Sequence, residues 1–312
     1  MATIYTEIPH NWNAIKNFVE TDVEIISRLV FSFQKVFFYD TCSFRRHSNL
    51  DMEHMQFLLN YFKKHDSVIV VTRCILMELA SHSGNLNLEY ISYFNELYNA
   101  GINIAILYEE NIFEILSVCF STKESINEYL SWAVRMLNAP VSTIAETLKS
   151  DLILNSEVKV GKNSNSSDLY KRFFSAVRAN KESGDNLGEE ILGICIHILS
   201  HLPGMENGKL CIVTDDKGAS GKIDSLMKKT KRQYAGAKII IYSTPKLVQN
   251  MYQEDIGLMK DNIVAILSEG TNSNIVVMGT TVYDLEVNEK ISRTCDELAE
   301  LIMEPNGINI VF

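Results

Sequence analysis

The six cysteines of this chain form no CxxC pair. Cys42, Cys74, Cys119, Cys195, Cys211 and Cys295 are scattered, mostly inside apolar runs. That is how buried free thiols look in a reducing compartment, and it argues against a structural zinc site. The first strand-like run is followed by YDTCSFRRHS, with neither GxxxxGK nor GxGxxG, so a glycine-rich phosphate cradle is excluded. No apolar run reaches membrane-spanning length. MATIYTEIPHNW lacks the basic start and apolar core of a signal peptide, and a cytoplasmic protein without membrane contact is expected. There is no internal repeat. Positive charge is also short: 29 Lys and Arg face 39 Asp and Glu, and the formal net charge of −10 argues against a general affinity for nucleic acid.

What is present suits a compact protein, since 46% hydrophobic and 22% charged residues over 312 positions can bury one large or two modest cores. Apolar strands (KVFFYD, SVIVV, NIAILY, KLCIVTDD, AKIIIYS) alternate with helical stretches. NWNAIKNFVETDVEIISRLVFSF reads as one amphipathic helix, and LDMEHMQFLLNYFKK as another. Continuous apolar strands separated by helices predict an α/β fold, a doubly wound parallel sheet covered on both faces in three layers. Residues 111–182 read as a helical insertion with a polar loop at VGKNSNSSD. The main unit is placed at 1–255. A C-terminal α/β extension at 256–312 reads as helix IGLMKDNIVAILSEG, strand NIVVMGTTVYDL, helix NEKISRTCDELAELIM and strand INIVF. It could extend the main sheet, stand as a small unit or supply a homodimer contact.

Carboxylates interrupt four apolar runs: Asp40 ending KVFFYD, Glu78 inside RCILMELA, Glu189 in LGEEILGICIHIL, and the Asp215-Asp216 pair ending CIVTDD. An ionised group in apolar surroundings is costly unless something positive is held there, and four in one fold point to a divalent metal. Hard oxygen donors with few histidines suit Mg2+ or Mn2+. Ligands of parallel sheets bind at the carboxyl ends of strands, where Asp40 and Asp215-Asp216 stand. Side-chain alternation favours Asp216 as the direct ligand, with Asp215 as its support or alternate. Thr72 can cap the helix carrying Glu78, and taken alone Glu78 reads equally as a partly exposed helix residue. Gly188 gives Glu189 room for close approach and favours it over Glu190, although a first-turn acid also suits the helix dipole. Arg45 and Arg46 beyond the first aspartate, and Lys217 and Lys222 beyond the last, could clamp phosphate. His47 reads as a surface residue and Tyr39 as core. Two basic runs, YKRFFSAVRANK and the stretch carrying Lys228, Lys229, Lys231 and Arg232, read first as solvated helix faces.

In this order, YDTCSF, TRCILMEL, LGEEILGICIHIL and IVTDDKGA resemble the PIN domain family over roughly residues 33–245, and LGEE with TDDKGA looks like its glycine-glutamate subgroup. The resemblance implies a metal-dependent endoribonuclease with Asp40, Glu78, Glu189 and Asp216 as acids. Thr41, Ser43 and Thr214 match the hydroxyl residues that flank them. It implies RNA, single-stranded or structured, as substrate, and a toxin or defence role with a protein inhibitor or defence-system partner. The chain departs from the family in its size, its long insertion and its tail. A binding or assembly module that has kept the acids is the alternative.

Overall fold

The computed structural model describes residues 3–136, 142–218, 221, 236–271, 274–281 and 288–312. Lys222, Lys228, Lys229, Lys231 and Arg232 lie outside them. Five parallel strands, β1 (Lys35–Tyr39), β2 (Ser67–Thr72), β3 (Asn103–Leu107), β4 (Leu210–Val213) and β5 (Ile240–Tyr242), form one sheet in the order β3-β2-β1-β4-β5. Alternation divides each strand between two cores. Phe37, Tyr39, Ile69, Val71, Ile104 and Val213 enter one apolar cluster, while Val36, Phe38, Val68, Val70, Ala105 and Ile212 enter the other. Both faces are therefore buried, and the expected three-layer α/β fold is what the chain adopts.

The first core is covered by α2 (Thr41–Ser48), α3 (Met52–Lys64), α4 (Arg73–Leu79), α5 (Leu88–Asn99) and α12 (Thr244–Gln253). The second is covered by α1 (Val23–Ser32), by the insertion helices α6 (Ile112–Ser117), α7 (Lys123–Met136), α8 (Thr143–Ser150), α9 (Leu152–Val160) and α10 (Leu169–Ala179), and by α11 (Leu187–Ser200). The tail adds α13 (Lys260–Ser268), β6 (Ile275–Thr280), β7 (Glu289–Arg293), α14 (Cys295–Met303) and β8 (Asn309–Ile310). It does not extend the main sheet: its strands form an antiparallel sheet of their own, ordered β7-β6-β8. Ile263, Ile266, Leu298 and Ile302 of the tail share the cluster of Phe37 and Tyr39. No helix among the described residues is long and apolar enough to cross a membrane, and all six cysteines are free thiols.

Three local expectations fail for identifiable reasons. The helix expected over residues 11–33 is broken because Glu20 pairs with the edge of β3, its N–H donating to Ile104 O, and Asp22 then caps α1 through the N–H groups of Glu24 and Ile25. The segment NEKISR is strand rather than helix: it pairs with β6 and buries only Ile291, and Thr294 starts α14 with a capping box to Glu297. The basic run YKRFFSAVRANK is only in part a solvated face: Lys171 is exposed, but the Arg178 and Lys181 side chains are 1% and 3% exposed. By contrast, Thr72 does cap α4 through the Ile75 N–H, and the loop after α9 is pinned by Asn127, which donates to Ser164 O and Ser166 O.

Arg178 ties three distant segments together. Its guanidinium reaches Glu109 at 2.6 Å, Glu110 at 3.1 Å and Glu7 at 2.9 Å. Glu109 also accepts the Cys74 N–H at the start of α4. Arg73 repeats the pattern, bonding Glu7 and Glu110 and lying 3.8 Å from the centre of the Tyr108 ring.

Two histidines are buried without charge. Burial pushes His197 down to about 3, with help from His201 one turn away, and pushes His47 down to about 4. Both folded values lie below the ordinary 6.5, so the unfolded chain takes up protons first and stability present above pH 6.5 is lost as pH falls. Urea denaturation at pH 7 and pH 5 should show a loss on the order of 4 kcal/mol, since each histidine contributes about 1.4 kcal/mol per unit over the roughly 1.5 units between 6.5 and pH 5. A His197→Leu variant should roughly halve that dependence; an unchanged slope would assign it to other groups.

Candidate metal centre

The strand order reverses between β1 and β4, because the chain winds outward from β1 through β2 and β3 and then returns to the other side of β1. That is the switch point of an open parallel sheet, where diverging loops leave a crevice. Asp40 follows β1 directly and donates its N–H to Val213 O, which sets it beside Thr214, Asp215 and Asp216.

Asp40 is 5% exposed and is the N-cap of α2. Its Oδ1 accepts the Thr41 N–H at 2.8 Å, and its Oδ2 accepts the Thr214 hydroxyl at 2.8 Å and the Cys42 thiol at 2.9 Å. Burial, then the Asp40 charge, push the Cys42 thiol up to about 12, so it stays protonated as a donor. A carboxylate has about four acceptor sites, so one remains open on Asp40. The Thr41 hydroxyl donates in turn to Glu78 Oε2 on α4, and one threonine thus bridges the two acids. Glu78 lies directly against α11, where a Cβ on Gly188 would stand 2.6 Å from its Oε1. A side chain at position 188 would force the Glu78 carboxylate to shift.

The paired acids, which follow the end of β4, have different surroundings. Asp215 turns inward and accepts the Thr244 N–H at 2.7 Å and the Thr244 hydroxyl at 2.6 Å, at the start of α12, together with the Ser43 hydroxyl at 3.1 Å. Arg46 stands 3.5 Å away and also donates to Leu267 O. Burial would raise the Asp215 carboxyl, but the Arg46 charge and the Thr244 hydrogen bonds outweigh it and hold it below the usual range. With these donors Asp215 is a fastening for α12 and has little capacity left for a metal. Asp216 is exposed on the open side, its N–H donating to Thr214 Oγ1 and its Oδ1 accepting from Gly218 N.

On α11 the two glutamates also part. Glu190 is buried and accepts the Ile144 N–H at the start of α8, facing the insertion, whereas Glu189 is half-buried next to Gly188. Among the described residues no three His, Cys, Asp or Glu side chains form a group that could hold a metal as they stand. Asp40, Glu78, Glu189 and Asp216 carry only oxygen donors, the kind that hard cations such as Mg2+ and Mn2+ take.

No family model, curated protein or solved structure matches this chain. What the site can do rests on its own geometry.

Beside Asp215 opens a cleft of about 520 Å3, lined by Cys42, Arg45, Arg46, Asp215 and Lys217 on one side and by Thr271, Asn274, Ile275 and Phe312 of the tail on the other. Arg45 and Lys217 are exposed there, whereas Arg46 is committed to Asp215 and Leu267. His47, expected at the surface, is fully buried. The Thr244 hydroxyl gives its proton to Asp215 and so accepts from His47 Nε2 at 2.9 Å, which leaves Nδ1 to accept from Tyr39. Two participants carry no signal in the sequence. One is the Cys42 donor; the other is Lys181, whose ammonium is 3.0 Å from Glu78 Oε1.

Proposed function

We propose that the chain is a divalent-metal-dependent endoribonuclease of the PIN type, with Asp40, Glu78, Glu189 and Asp216 holding Mg2+ or Mn2+. The observation that carries this reading is the position of Asp40 and Asp216 at the carboxyl ends of adjacent strands at the switch point, with Glu78 joined to Asp40 through Thr41. A bound ion there would supply a water of lowered pKa and stabilise charge on the phosphate. The chain's own residues do the rest. Thr41 and Thr214 fix the Asp40 carboxylate, and Asp215 locks α12 so that the β4 loop presents Asp216 outward. Arg45 and Lys217 offer phosphate contacts along the cleft. A toxin or phage-defence role, with an inhibitor as partner, belongs to the same proposal.

One observation favours a second reading, a binding or assembly module without cleavage: Lys181 already neutralises Glu78. Incubating labelled RNA and DNA with the protein separates the two. The nuclease reading expects RNA cleavage with Mn2+ or Mg2+ and none with chelator. Binding without cleavage under any metal would leave the module reading.

A further inference from the structure

Lys181 follows α10 and reaches back across the fold to Glu78. Its Nζ is 3.0 Å from Glu78 Oε1 and also bonds Asp185, and the side chain is almost wholly enclosed. Asp185 is fixed by the N–H groups of Glu182 and Leu187, at the threshold of α11. Over the ammonium lies the Tyr5 ring at 5.2 Å, and the segment carrying it is held by Ile4 N–H to Ser81 O and by Tyr5 OH to Glu182 O at 3.3 Å. Glu78 therefore receives Thr41 on one oxygen and Lys181 on the other, with the Gly188 backbone against it.

We propose that Lys181 is a built-in counter-ion that competes with the divalent metal for Glu78 and keeps the centre in a low-affinity form. This rests on the nuclease reading of the same acids. The competition is a cation exchange in which no bond to carbon changes: the metal takes the Glu78 oxygen, and the ammonium keeps its proton and its bond to Asp185. Asp185 makes the exchange feasible, because Lys181 can leave Glu78 without becoming an unpaired buried charge. Tyr5 adds a restraint, since the ammonium moves out past its ring. Lys181 acts on the metal through Glu78 and is thus a positioning residue. The N-terminal segment that carries Tyr5 becomes part of the control of the site.

The test measures Mn2+ binding by the free-ion paramagnetic resonance signal in wild type, Lys181→Gln, Lys181→Met and Lys181→Arg, each checked for folding by circular dichroism. Removing the charge should tighten binding about tenfold, or ~1.4 kcal/mol, whereas Lys181→Arg should not gain. Adding Glu78→Gln to Lys181→Gln should erase the gain. A purely structural lysine would give weaker or unchanged binding when lost, and that result in folded variants overturns the proposal. If Asp40→Asn still weakens wild-type binding in that case, the metal site stands and only the lysine competition falls. If neither wild type nor any lysine variant binds Mn2+, both fall.

Discussion

An Asp40→Asn protein is expected to fold normally and to lose Mn2+-dependent RNA cleavage by about a thousandfold or more, equivalent to ~4 kcal/mol of transition-state stabilisation. Folding survives because the amide oxygen still accepts the Thr41 N–H, while the Thr214 hydroxyl can rotate to accept from the new amide. Charge is what disappears. Asp40 is central to the constellation, joined to Glu78 through Thr41 and to the β4 loop through Thr214, so its loss cannot be covered by a neighbour. Gel cleavage and a thermal melt on the same preparation check both halves. Undiminished cleavage would remove Asp40 from the chemistry and the nuclease assignment with it.

The largest expected effect on stability lies elsewhere. Arg178→Ala should cost about 3 to 5 kcal/mol, because it leaves Glu109, fully buried, facing apolar surroundings without its partner. Burial already pushes the Glu109 carboxyl upward, and the Arg178 charge is what opposes that shift. Arg178→Ala with Glu109→Gln should recover part of the loss. Urea titration of the single and double variants measures the coupling, and additive losses would mean that the pair is not an energetic unit.

The parallel sheet was legible because its strands are apolar on both faces and short, and Asp40 was legible because it ends one of them. Asp215 and Asp216 have different surroundings, but β4 ends at Val213 and the Asp216 N–H turns back to Thr214 Oγ1, so that difference comes from the turn rather than from strand alternation. What the sequence concealed was non-local. Nothing near VRANK tells that Lys181 meets a helix acid from the other side of β1, or that Arg178 is buried rather than solvated. EKISR was misread because its charges mimic a helix surface and its strand pairing is visible only once β6 is in place. A histidine after two arginines looks solvated, and His47 is buried because its partners Tyr39 and Thr244 come from two other elements.

Thr214 and Asp40 meet across 174 residues of chain. Closing so long a loop is slow and comes only after nearer contacts have formed, so the pairing of β1 with β4 is expected among the late events of folding. The acids on either side of that seam converge when it closes. A nascent or partly folded chain would then carry the carboxylates apart, and on the proposed nuclease reading any cleavage competence would arrive together with the native state.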